Sequence, residues 1–255
     1  MLQSVKLNQT GFGIAKETQT CFYGHPRYVE GQIPTGENGK QLRFMAQINC
    51  ADIKGLPDFP QKGLLQFWVQ GEPHKMYIDH GKKDHQVIYI ENPVNNNIDN
   101  VELDESIYNL DYSGDFPWIQ VKNYNHSDNL LFTTAKEMVV PNTADREMLV
   151  DIIKKVASEV IGSNIDKNQL LTIIDAVDDD DRFKPTWGDR VGGYPSFTQN
   201  GPVHRGKNSD DTLLLQLDSE KGVQWGDSGI ASFFISHDDL VKKNFNNVSF
   251  YWDCH

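Results

Sequence analysis

Cysteine is scarce in this sequence, with three in 255 residues, at Cys21, Cys50 and Cys254. An odd number so widely spaced argues against a disulfide framework and for a reducing cytoplasm. Long apolar runs are missing too. No stretch approaches the roughly 20 residues that cross a bilayer as a helix, and the opening MLQSVKLNQTG holds no signal-peptide core. No membrane role is expected. Basic charge is also short: 24 Lys and Arg against 36 Asp and Glu leave a net charge of −12. So acidic a chain repels phosphate backbones, and no Lys/Arg cluster offsets this, so no nucleic-acid partner is expected.

Signatures of catalysis and metal binding are missing as well. Gly11-Phe12-Gly13 is too little for a phosphate loop, and Ser228 has no nucleophile-elbow context. His74, His80 and His85 lack zinc spacing and read as surface residues of a long hairpin. Asp178–Asp181 lacks the alternate-position ligands of a calcium loop and reads as a solvated acidic turn. Asp253-Cys254-His255 groups three potential ligands, but neighbours in a strand point to opposite faces, so a metal would need His237 as well. Neither a metal nor a cofactor is expected.

What the sequence does hold is repetition. Gly24 and Gly193, Pro26 and Pro195, Tyr28 and Phe197, and Gln47 and Gln216 each stand 169 positions apart. Phe44-Met45-Ala46 and Leu213-Leu214-Leu215 share that spacing, which slips to 166 at Gly63 and Gly229. Length changes of this kind belong in loops. The spacing predicts one duplicated domain over residues 1–255. Half 1 covers about 20–141, a helical segment about 142–177, and half 2 about 187–255.

The apolar runs Leu42–Ile48 and Gly63–Val69 predict central strands, as do their counterparts in Leu213–Ile235. Further strands are expected at Ser4–Leu7, Val87–Ile90, Trp118–Val121, within Leu130–Val140 and at Val248–Trp252. Asn142 or Thr143 can cap a helix with an apolar stripe of Met148, Leu149, Ile152, Ile153, Val156 and Val160, ended by Gly162. A second helix is expected from Asp166 to Val177, and Ser236 can cap a short one at His237–Lys243. Strands, then helices, then strands predict an α+β fold with an antiparallel or mixed β-sheet core.

Gly192-Gly193-Tyr194-Pro195, Leu214-Leu215-Gln216-Leu217-Asp218, Trp225-Gly226-Asp227-Ser228-Gly229 and Tyr251-Trp252-Asp253-Cys254 resemble the YwqG-like proteins of bacteria. The first half carries weaker copies, and its turn, Tyr23-Gly24-His25-Pro26, has one glycine where the second has two. The resemblance implies a duplicated α+β fold in a bacterial cytoplasmic protein of unknown function. Members are sometimes encoded beside secreted toxins, which implies a protective or binding role.

The candidate ligand-binding residues are Trp225, Asp227, Gln47, Gln216, Arg190 and Tyr194. The loop at Trp225–Gly229 can present a carboxylate and a flat aromatic to a ligand. Otherwise it is a hairpin turn, with Asp227 bonded to its own loop and Trp225 in the core. Gln47 and Gln216 would brace backbone or line a junction between halves. Asp189 and Arg190 would form an ion pair beside the second turn. With no catalytic residue recognised, the expected function is a non-enzymatic cytoplasmic binding protein with a protein partner, protective against a toxin. The rival is a hydrolase with carboxylates in a cleft between the halves.

Overall fold

The computed structural model describes residues 2–70, 84–108, 119–121, 125, 127–139, 153–155, 157–161, 165–166, 168–170, 172–173, 186–199, 211–220 and 223–255. Twelve strands occur among them. They are β1 (Leu2–Gly13), β2 (Cys21–Phe22), β3 (Leu42–Asn49), β4 (Leu64–Gln70), β5 (His85–Ile90) and β6 (Ile119–Val121). Then follow β7 (Asn129–Val139), β8 (Arg190–Gly192), β9 (Asp211–Asp218), β10 (Val223–Trp225), β11 (Ile230–Ser236) and β12 (Ser249–Asp253).

Ten strands form one antiparallel sheet in the order β12-β11-β9-β8-β1-β7-β2-β3-β4-β5, and β6 pairs with β10 in a separate ribbon. The order is symmetric about the central β1–β7 pair. On each side a short strand is followed by two long apolar ones and an edge strand. The long ones, β3, β4, β9 and β11, are buried on both faces over most of their length, so they read as continuous apolar runs.

The glycines that open β4 and β11 stand in matching environments. A Cβ on Gly63 would lie 2.3 Å from the Ile90 carbonyl oxygen, and one on Gly229 would lie 2.0 Å from that of Asp253. Each lets the edge strand approach more closely than any side chain would permit.

The sheet curls until its two ends meet. His85 Nε2 on β5 lies 2.7 Å from the Val248 carbonyl oxygen just before β12. Phe67 of β4 meets Phe233 of β11 edge to face, centroids 4.9 Å apart, and Phe250 of β12 is 4.7 Å from Phe233. The curled sheet encloses one large core that draws Val5, Phe22, Ile48, Phe67, Leu215, Trp225 and Phe250 from both halves. His85, expected at the surface, is 3% exposed and closes this seam.

The α+β expectation is therefore corrected. Among the described residues strand makes up 41% and helix 14%, and they form a nearly closed, barrel-like antiparallel sheet with few helices. The sheet covers its own apolar face by curling, so no helical layer is needed over it. The described helical pieces between 153 and 173 are short. There Leu170, with Ile153 and Ile165, forms a small cluster apart from the main core. The expected cap at Asn142 or Thr143, most of the stripe, Gly162 and the acidic run Asp178–Asp181 lie outside the described residues, as do His74, His80 and Trp118. The helix after β11 spans His237–Val241, and Ser236 caps it by accepting from Asp239 N at 3.1 Å.

Candidate functional site

The two glutamines act as braces. Gln47 Nε2 donates to the carbonyls of Glu17 (2.9 Å) and Gln19 (3.0 Å). Gln216 Nε2 donates to those of Thr186 (2.8 Å) and Gly188 (2.9 Å), so the acceptors also stand 169 positions apart. Their oxygens accept from Gln66 Nε2 and Ser196 N. Both side chains are fully buried with both amide hydrogens used.

Trp225 and Asp227 part company. Trp225 is fully buried, its ring 6.4 Å from Phe250 and 6.3 Å from Trp252. Asp227 is exposed, and among the described residues its carboxylate makes no hydrogen bond, so the expected side-chain bonds within the loop are not formed. The loop is held instead by Ser219, whose hydroxyl donates to the Gly229 carbonyl (2.7 Å) and accepts from Trp225 N (2.9 Å).

Asp189 and Arg190 form no ion pair, because successive residues at the start of β8 point to opposite sides. Arg190 donates to Ser4 Oγ (3.2 Å) and to the Trp187 carbonyl (2.6 Å). Tyr194 is half-buried beyond β8, and its hydroxyl bonds to nothing among the described residues. Asp253 spends its carboxylate on Thr198, Gln199 N and the Tyr251 hydroxyl. Among the described residues no three His, Cys, Asp or Glu side chains lie close enough to share a metal.

A different set of polar residues converges inside the barrel. Antiparallel pairing brings the end of β2, the start of β3, the start of β8 and the end of β9 to one rim of the sheet. Tyr23, Arg43 and Asp189 stand there, each 1% exposed. Arg43 is opposite Val69, a member of the enclosed core, whereas Leu42 and Phe44 pack in an outer cluster with Trp68. Its guanidinium therefore lies on the inner face. Among the described residues Nε and Nη1 have no hydrogen-bond partner, and no carboxylate stands within ion-pair distance. An uncompensated buried charge costs several kcal/mol, about 3–5 when a partner is removed. That is a large part of a net stability of about 5–15 kcal/mol.

Tyr23 is unusual twice over. Its backbone is left-handed, with φ 56°, a region that bulky residues rarely adopt. Its buried hydroxyl meets the Trp225 indole and closes no other hydrogen bond among the described residues. Burial, helped by the negative charge of Asp189, holds the phenol well above its ordinary range, while the Trp225 indole and the Arg43 charge oppose that shift. In the second half Gly192, at φ 70°, stands 169 positions on. Asp189 accepts from Asp218 N (2.8 Å) and from Gln9 Nε2 (3.0 Å). Burial pushes it up to about 7 against these hydrogen bonds, with Glu220 and Asp218 adding repulsion.

Sequence reasoning missed Tyr23, Arg43 and Ser219. A signal for the first two existed. Arg43 is a lone charge inside the apolar run LRFMA, matched by Thr212 in the other half. Tyr23 replaces one of the two glycines of the second turn.

The fold and this rim define a curled antiparallel β protein with a pair of unsatisfied donors enclosed at one end. The chain belongs to the family described as a domain of unknown function (DUF1963), which matches residues 21–254. No curated protein matches the chain.

Proposed function

We propose that the protein is a non-enzymatic binding protein, and that its ligand site is the inner rim at Tyr23, Arg43 and Trp225. Tyr23 carries the reading. A left-handed backbone at a bulky residue costs about 1–3 kcal/mol, and such strain is retained mostly at functional sites. Here it delivers a hydroxyl that meets only the Trp225 indole among the described residues, at a position where the other half manages with glycine. A ligand group at the rim would give its O–H a partner.

The hydrolase alternative is the weaker reading. The carboxylate at this rim, Asp189, already holds one hydrogen bond on each oxygen, from Gln9 Nε2 and Asp218 N. We further propose that the halves arose by duplication, which the matched glutamine braces support. The closer placing among YwqG-like proteins, the cytoplasmic location, the protein partner and the protective role against a toxin stay part of this proposal. Thermal-shift measurement across a panel of small metabolites tests the binding reading. At least one compound is expected to stabilise the wild type more than Tyr23→Phe. A panel without such a compound would count against it.

A further inference from the structure

We infer that the ligand group at this rim is a small oxyanion, a carboxylate or phosphate, gripped by the Arg43 guanidinium and the Tyr23 hydroxyl. The inference rests on the binding reading above and names the chemistry of its ligand.

Three observations lead there. The unsatisfied groups are donors. Arg43 offers N–H groups at Nε and Nη1, and the Tyr23 hydroxyl offers an O–H. The acceptor nearby is taken, since both oxygens of Asp189 are engaged by Gln9 and Asp218 N. The donors are enclosed as well. The chain carries a net charge of −12, so an anion on its surface is opposed by the field of the whole molecule. Inside the rim, water no longer screens Arg43, and its attraction for an anion is strengthened. A charged guanidinium with N–H groups left over suits an oxyanion better than it suits a neutral amide or sugar.

The experiment titrates purified wild-type chain with inorganic phosphate in one arm and acetate in another. Ionic strength is held constant with sodium chloride, and the readout is the unfolding midpoint. A saturable rise in at least one arm is expected, with phosphate alone indicating a phosphate-bearing ligand and acetate alone a carboxylate-bearing one. Arg43→Met should abolish the response and melt higher than wild type in oxyanion-free buffer, since it removes the uncompensated charge. Tyr23→Phe should fold and bind about tenfold more weakly; it decides the matter if Arg43→Met fails to fold. No saturable response of the wild type in either arm overturns the inference, and so does an undiminished response of Arg43→Met or of Tyr23→Phe. If both arms fail while a neutral metabolite still stabilises the chain through Tyr23, the oxyanion is refuted and the binding reading survives. If that metabolite is also missing, both fall.

Discussion

Tyr23 and Gly192 occupy matching positions 169 residues apart and share a left-handed backbone, with φ 56° and 70°. One half fills the position with the residue best suited to it, and the other with a bulky aromatic. The difference sets up the first prediction. Tyr23→Phe keeps the ring in the core and removes a buried hydroxyl that meets only the Trp225 indole among the described residues. Such a group contributes a desolvation cost and little in return. Urea unfolding should therefore show a Tyr23→Phe protein at least as stable as wild type, by up to about 1 kcal/mol. Gly192→Ala should lose about 1–2 kcal/mol, because a Cβ is unfavourable in that conformation.

Asp189 predicts a pH dependence. Its folded value of about 7 lies above the ordinary 3.8. Between these values the folded chain holds a proton that the unfolded chain releases. This contribution favours folding below about pH 4 and is lost as pH rises toward 7, at up to about 1.4 kcal/mol per pH unit. Asp189→Asn removes the titration. An asparagine oxygen can still accept from Asp218 N, and its amide can donate to the buried Gln9 Oε1, which lacks a partner. Denaturation curves at pH 5 and pH 8 should show the variant gaining on wild type as pH rises. Parallel pH profiles would refute the assignment.

The hairpin loop gives a contrast between neighbours. Asp227→Ala removes an exposed carboxylate without hydrogen bonds among the described residues and should change stability by less than about 0.5 kcal/mol. Ser219→Ala removes the hydroxyl that ties Gly229 to Trp225 and should cost about 1–3 kcal/mol. Comparing the two melting curves is enough to check this ordering.

The paired braces predict paired losses. Gln47→Ala and Gln216→Ala each leave two loop carbonyls without their amide donor, part-buried ones at Glu17 and Gln19 and buried ones at Thr186 and Gly188. Each should cost about 2–5 kcal/mol, within about 1 kcal/mol of the other. A large loss at one site alone would mean that the matched geometry does not carry matched energy.

How much of this was legible in the sequence follows from where its signals lie. β3, β4, β9 and β11 are covered on both faces, so their apolar runs stand out. Leu42–Asn49 was anticipated to within a residue. The Ser236 cap is local and was equally readable. β1 was foreseen only at Ser4–Leu7, because Val5 and Leu7 are its buried apolar residues and polar ones fill much of the rest. Barrel closure could not be read at all. It depends on His85 meeting Val248, 163 positions away, and no local pattern encodes that. The order of strands, helices and strands therefore reads as α+β. The proposed rim is hard to read in the sequence for a related reason. Glycines and an exposed carboxylate drew attention to Asp227, while Arg43 sat inside an apolar strand that read as core.

Native mass spectrometry tests the central claim most directly. Wild-type chain, Arg43→Met and Tyr23→Phe would each be incubated with a small-molecule extract, desalted by gel filtration and weighed intact. The account predicts a discrete adduct of stoichiometry one on the wild type, lost from Arg43→Met and weakened in Tyr23→Phe. Bare masses for all three proteins, or an adduct of equal abundance on all three, would contradict it.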